Sequence, residues 1–132
     1  MDPWPLLARF VEVGRAIALP FAVATDAPLV FRRHRMGDER TLDAFGLPGP
    51  PPSAPRVTPD LVIAPVLAFD RHGSRLGQGA GCYDRTIALL RAAGPVWVVG
   101  LAFAGQEVDM LPIEDHDQRL DAILTEEGYR VF

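Results

Sequence analysis

The chain of 132 residues contains no lysine: all 13 of its basic residues are arginine, and against 17 carboxylates they leave a formal net charge of −4. That acidic balance argues against the basic footprint with which nucleic-acid-binding domains neutralise phosphates. Cysteine is nearly absent too. The single Cys82 excludes an internal disulfide framework and any zinc site built from several cysteines of one chain, so a reducing cytoplasm is the expected compartment. No apolar run approaches the ~20 residues of a membrane span, and residues 1–20 lack the basic start and unbroken apolar middle of a signal peptide. These absences predict a soluble, cytoplasmic protein whose partners are small molecules rather than nucleic acid or membrane, monomeric or weakly self-associating. His116 has no serine or cysteine partner that spacing identifies, so a hydrolase triad is unsupported.

What is present, 48% hydrophobic and 23% charged residues, suits an ordinary globular fold. The length suits one domain, residues 1–132, able to bury its own core. Leu6, Leu7, Phe10 and Val11 share one face of a helix over residues 4–15, with Gly14 near its end. Ile17 to Val23 and Leu29 to Phe31 read as two strands separated by Thr-Asp-Ala-Pro. Six prolines between residues 46 and 59 make a loop that cannot join a central sheet. Further strands are expected at 61–66, 96–103, 122–125 and 129–132, with a helix at about 83–93. Strands separated by helical or long connections predict an α/β class, a three-layer αβα arrangement with a largely parallel central sheet.

Between the strand at 61–66 and the helix at 83–93 lies Arg75-Leu-Gly-Gln-Gly-Ala-Gly-Cys-Tyr-Asp-Arg85, with glycines at 77, 79 and 81. The backbone can take positive φ there and approach a ligand closely, and the amides of such a turn before a helix N-terminus form an anion-binding concavity. The segment is neither a P-loop nor the dinucleotide fingerprint. A tight strand-to-helix turn has the same spacing. The flanking Arg75, Tyr83, Asp84 and Arg85 favour a phosphate site, since guanidinium groups pair with phosphate oxygens and a carboxylate can hold Mg²⁺ beside them. Glu114-Asp-His-Asp117, with Asp121 beyond it, is either a solvated acidic loop or a source of one or two magnesium ligands. Arg32-Arg-His-Arg35 is expected as a solvated strand end, Cys82 as a small packing residue, and Trp97 as core.

Ala68-Phe-Asp-Arg-His-Gly-Ser-Arg-Leu-Gly-Gln-Gly-Ala-Gly-Cys-Tyr-Asp-Arg85 resembles the signature of the 5-formyltetrahydrofolate cyclo-ligase family, also called 5,10-methenyltetrahydrofolate synthetases. Leu19-Pro20, Phe45-Gly-Leu-Pro48, Gly100-Leu-Ala-Phe103 with Gln106, Leu111-Pro112, His116-Asp117, Asp121 and Thr125-Glu126 extend the likeness over nearly the whole chain. The resemblance implies an ATP- and Mg²⁺-dependent ring closure of 5-formyltetrahydrofolate to 5,10-methenyltetrahydrofolate, with ADP and phosphate released. It places the nucleotide on Arg75, Leu76, Gly77, Gln78, Gly79, Ala80, Gly81, Cys82 and Tyr83, with Gln78 to Cys82 also bordering the folate. Arg75 and Tyr83 become the catalytic residues, and Asp84 and Asp117 the holders of Mg²⁺. Gly49 stands where the family has glutamate, and Cys82 where it usually has a first tyrosine. Met1-Asp-Pro-Trp4 falls inside the family pattern, so the expectation is an N-terminally short domain of that kind. The alternative is a non-catalytic nucleotide- or folate-binding remnant. Another α/β metabolite-binding or sugar-phosphate enzyme is a third reading, because fold does not set chemistry.

Overall fold

Proline opens the first helix and glycine closes it. Helix α1 spans Trp4–Glu12, with Pro3 at the N-cap; Pro5 sits in the first turn, where its missing N–H costs nothing. Gly14 follows the last turn at φ +85°, and its N–H closes on Val11 O at 3.0 Å while that of Arg15 reaches Phe10 O at 2.9 Å. The computed structural model describes residues 1–77 and 80–132. It divides into two compact units, Asp2–Pro59 and Asp60–Phe132 with Met1.

In the first unit, β1 (Ile17–Ala22) and β2 (Leu29–His34) form an antiparallel hairpin that sets Ile17 opposite His34 and Ala22 opposite Leu29. Two-residue strands β3 (Thr41–Leu42) and β4 (Pro48–Gly49) pair beside it. The Asp43 carboxylate organises their turn, accepting the N–H groups of Phe45 and Leu47 on Oδ1 and that of Ala22 on Oδ2. The proline loop stays out of the larger sheet, as its composition requires. Arg32 and His34, expected at a solvated strand end, instead lie inside β2. His34 is buried and meets the Trp4 ring edge-on at 5.9 Å. Arg32 Nη1 donates to Ala54 O at 2.8 Å, and the Arg33 N–H to Pro55 O at 2.8 Å. A proline-rich segment is poor in donors but rich in carbonyls, and these draw the strand three residues past its apolar run, to His34.

The second unit is built on a four-stranded sheet in the order β10-β9-β8-β5: β5 (Leu61–Pro65), β8 (Trp97–Leu101) and β9 (Ala122–Thr125) run parallel, and β10 (Gly128–Val131) adds an antiparallel edge. This is the α/β class with a largely parallel sheet. The β5-to-β8 crossover contains a short antiparallel pair, β6 (Ala68–Phe69) with β7 (Arg75–Leu76), and helix α2 (Cys82–Ala93). Val62, Ala64, Val98 and Ile123 on one sheet face pack with Ile87 of α2 and with Phe69, Ala102 and Leu120. Gly100, in the middle of β8, is what this packing demands: a Cβ there would stand 2.7 Å from Leu120, 2.8 Å from Ile123 and 2.9 Å from Val66 side-chain atoms. Trp97 departs from expectation. At the first position of β8 it is 41% exposed, and its indole N–H donates to the Tyr129 hydroxyl at 2.9 Å. The strand start lies beyond the apolar neighbours that bury Val98 and Val99. Among the described residues no helix is long and apolar enough to cross a membrane.

Candidate functional site

The chain leaves the carboxyl end of β5 and turns into the β6–β7 hairpin, which hangs on one buried carboxylate. Asp70 is 1% exposed. Its Oδ1 accepts the N–H groups of His72 at 2.9 Å and Ser74 at 3.1 Å, and its Oδ2 accepts that of Leu111 at 2.9 Å. Burial by itself raises the Asp70 carboxyl, but the three backbone donors, with the nearby His72 charge, outweigh it and hold the group below its usual 3.8. Gly73, at φ +82°, lets the turn come so close to the 120 segment that Leu120 N–H donates to Gly73 O at 2.8 Å. The Val108 N–H, donating to Phe69 O at 2.8 Å, adds a third tie between this hairpin and the segments after β8.

From β7 the chain runs through Gly77 to Ala80, Gly81 and helix α2; Gln78 and Gly79, both expected at the nucleotide, lie outside the described residues. Gly81 is the N-cap at φ +75° and supplies no side-chain cap, so the α2 N-terminus presents its backbone dipole toward the loop. Arg85 folds back onto this entry, its Nη1 donating to Ala80 O at 2.6 Å and its backbone N–H to Gly81 O at 3.0 Å.

Beneath the loop the structure brings Arg75, Tyr83 and Asp84 together. The Arg75 side chain is only 5% exposed, with Nη2 at 3.8 Å from Asp84 Oδ1. Its Nη1 donates to Pro65 O at 2.9 Å, and its guanidinium lies 5.5 Å from the centre of the Tyr83 ring. Among the described residues its buried Nε has no hydrogen-bond acceptor. Gly77 passes so near that a Cβ there would stand 2.6 Å from Arg75 Nη1. Desolvation pushes the Tyr83 phenol up to about 12, against the lowering effect of the Arg75 charge, so this hydroxyl keeps its proton at neutral pH and acts as a donor rather than a base.

Asp117 reaches the same region through its neighbour, since the Gln118 N–H donates to Asp84 Oδ1 at 3.0 Å. Asp117 Oδ2 accepts the Glu114 N–H at 2.9 Å, and His116 Nε2 lies 3.4 Å from Glu114 and 3.5 Å from Asp117 on an exposed loop. Asp121, weighed with this cluster as an oxygen ligand, is instead bound up in the fold: its Oδ2 accepts the Val98 N–H at 2.8 Å and an Arg91 N–H at 3.2 Å. Cys82 is a buried thiol, and Leu76 points out at 51% exposure.

The sequence profile of the 5-formyltetrahydrofolate cyclo-ligase family matches residues 4–126. The chain belongs to this family. It is 38% identical to the 5-formyltetrahydrofolate cyclo-ligase of Mycolicibacterium smegmatis, over 91% of this chain and 64% of that protein. It is 32% identical to the Escherichia coli 5-formyltetrahydrofolate cyclo-ligase, over 95% of this chain and 71% of that protein. The solved 5,10-methenyltetrahydrofolate synthetase of Aquifex aeolicus superposes with a TM-score of 0.77 at 29% identity, covering 99% of this chain and 65% of that one. The chain thus spans about two thirds of the length of these cyclo-ligases.

Within this cyclo-ligase fold, a magnesium ion on Asp84 and Asp117 would need phosphate oxygens or water to complete its coordination. Among the described residues, Gln118 and Arg75 both approach the Asp84 carboxylate at Oδ1, and no three His, Cys, Asp or Glu side chains converge as a metal cage. Mg²⁺ characteristically takes one or two carboxylates and fills its octahedron with phosphate oxygens and water. A separate cavity of about 200 Å³ opens at the carboxyl ends of β8 and β9, beside Phe69, Thr125 and Tyr129. Two of its charged lining residues pair with each other, Arg130 Nη2 donating to Glu107 Oε2 at 2.8 Å. Three residues that shape the site escaped the sequence reading: Asp70, Arg91 and Gln118. For Asp70 a signal existed, because an aspartate at a strand end followed by Gly and Ser is an Asx-turn pattern.

Proposed function

We propose that this chain binds Mg·ATP over the loop Arg75 to Tyr83 and catalyses closure of 5-formyltetrahydrofolate to 5,10-methenyltetrahydrofolate, with ADP and phosphate released. Gly81 carries the reading. It is a left-handed glycine that delivers the uncapped N-terminus of a 12-residue helix to a glycine loop, in a chain of the cyclo-ligase family. Helix N-termini with adjacent backbone amides take phosphates. The family profile runs through both compact units, and we read them as parts of one functional domain.

In this reaction the formyl oxygen attacks the γ-phosphorus, forming an O–P bond as the bond to ADP breaks. N10 of the folate then attacks the formyl carbon, loses its proton, and the former formyl oxygen departs within phosphate. Such chemistry asks the protein for alignment and charge neutralisation rather than a covalent group. The amides from Gly77 to Gly81 and the α2 N-terminus would face the phosphates. Arg75, buried against Tyr83 and Asp84, supplies fixed positive potential to the loop above it, where a low dielectric strengthens its effect. Tyr83 stays protonated and offers a donor and a ring face. Asp84 and Asp117 would hold Mg²⁺, whose chemistry when bound is neutralisation of phosphate charge.

With 5-formyltetrahydrofolate, the protein is expected to raise the near-ultraviolet absorbance of the methenyl product only when ATP and Mg²⁺ are both present. A folded protein that neither forms product nor binds Mg·ATP overturns the reading. A specific observation favours a second one, binding without turnover. Gly49, where the family has glutamate, is buried so that a Cβ would stand 3.0 Å from both the Phe21 ring and Pro20 O, so a carboxylate side chain would fit there only if those neighbours gave way. Binding of Mg·ATP with no product would favour this alternative.

A further inference from the structure

Helix α2 grips the loop that follows Asp117 at two places. Asp84 and Arg91 are seven residues apart, so they lie on one helix face with Ile87 between them, about 10 Å apart along the axis. Ile87 is fully buried in the core. At one end Asp84 accepts the Gln118 N–H. At the other, Arg91 Nη1 donates to Gln118 Oε1 at 3.1 Å, and Nη2 donates to Arg119 O at 2.8 Å and to Asp121 Oδ2 at 3.2 Å. One planar guanidinium therefore joins the side chain of residue 118, the backbone of residue 119 and the carboxylate of residue 121. That is the use for which a rigid five-donor fork is suited and a lysine is not. On the other side of Gln118 the ties are local: the Asp117 N–H donates to Glu114 O, and Asp117 Oδ2 accepts the Glu114 N–H. The place of Asp117 relative to α2 is set by whatever fixes Gln118 and Arg119.

We infer that Arg91 is a positioning residue for the metal side of the nucleotide site: it fixes residues 118–121 on α2 and thereby sets where Asp117 stands beside Asp84. The inference rests on the function proposed above. Arg91 itself lies in the last turn of α2, at the end of the helix away from Gly81. Its effect is transmitted through the loop, as with the outer partners that orient metal ligands generally.

The experiment measures ATP affinity by titration calorimetry, with chelator and with saturating Mg²⁺, for the parent chain, Arg91→Ala and Arg91→Lys. The ratio of the two affinities isolates the contribution of the metal. Arg91→Ala is expected to reduce that ratio about 10-fold, within the range typical for outer-shell partners, while metal-free ATP affinity changes by less than about twofold. Arg91→Lys, which keeps a charge but not the fork, should fall between. Without ligand, the amides of Asp117 to Leu120 should exchange faster with solvent in Arg91→Ala than in the parent. A role confined to stability would lower the melting temperature and leave the Mg²⁺ ratio unchanged, and that result overturns the inference. If Arg91→Ala does not fold, Arg91→Lys is judged by the same ratio. A parent chain with no Mg²⁺-dependent ATP binding defeats the proposed function and this inference with it; a parent and variants with equal ratios defeat the role of Arg91 alone.

Discussion

Asp70 shows what a single buried charge does here. Three backbone N–H groups converge on its carboxylate, so the ionised form is favoured in the folded state and its native pKa lies below the ordinary value of 3.8. The unfolded chain therefore binds the proton more readily, and stability rises with pH over that window. The contribution is full above the unfolded value and is lost as pH falls through the lower, native one. Asp70→Asn should remove this pH dependence. It should also cost about 1–3 kcal/mol at neutral pH, since the amide group turns a donor toward one of the backbone N–H groups and leaves it unpaired. Urea unfolding at neutral pH and in the acid range would measure both effects; a variant with unchanged midpoints at each pH would show that the hairpin does not depend on this carboxylate. At this scale residue type was readable and direction was not. Arg75, Tyr83 and Asp84 do gather, as their clustering suggested, but that the guanidinium lies buried beneath the loop depends on Pro65 O, ten residues earlier, which no spacing rule reports. Arg91 was legible only as a helix cation because its partners come about 30 residues later.

Elements with enough length to show a period were placed within a few residues: α1, β1, β5, α2, β8, β9 and β10 all fall where apolar spacing put them. The pairs β3–β4 and β6–β7 did not, because two residues have no periodicity and their pairing is dictated by turns built on Asp43 and Asp70. Glycine marks the same contrast between local and tertiary causes. Gly100 sits in a strand where local propensity disfavours it, and only the packing of Leu120, Ile123 and Val66 against the bare backbone explains it. Gly100→Ala should destabilise the fold by about 1–3 kcal/mol, the usual cost of overpacking a filled core. Gly94, by comparison, ends α2 in an extended conformation at φ 167°, and a Cβ there meets nothing within 4 Å. Gly94→Ala should change stability by less than about 0.5 kcal/mol. Parallel denaturant titrations decide the matter: equal midpoints for the two variants would mean that the Gly100 neighbours yield without cost.

For the whole molecule, the absence of lysine takes on a structural sense. Arg32, Arg75, Arg85, Arg91 and Arg130 each hold a carbonyl or carboxylate of their own unit, so these guanidinium groups fasten loops, a use that a charge count cannot distinguish from a surface patch. The two compact units are unequally supplied with core. The principal cluster, from Val62 to Ile123, lies wholly in Asp60–Phe132, whereas the buried apolar residues of Asp2–Pro59 are Ile17, Ala22, Phe31 and Pro50, around a two-stranded hairpin. A lone hairpin is marginal in water, and amide protection follows the burial and contact density of each cooperative unit. Native-state hydrogen exchange in rising denaturant should thus find the amides of Val62, Val98 and Ile123 the slowest, released together in the largest opening. Those paired between β1 and β2 should exchange through a smaller opening with its own denaturant dependence. Convergence of both sets on one isotherm from the lowest denaturant would make the chain a single cooperative unit and refute this division of stability.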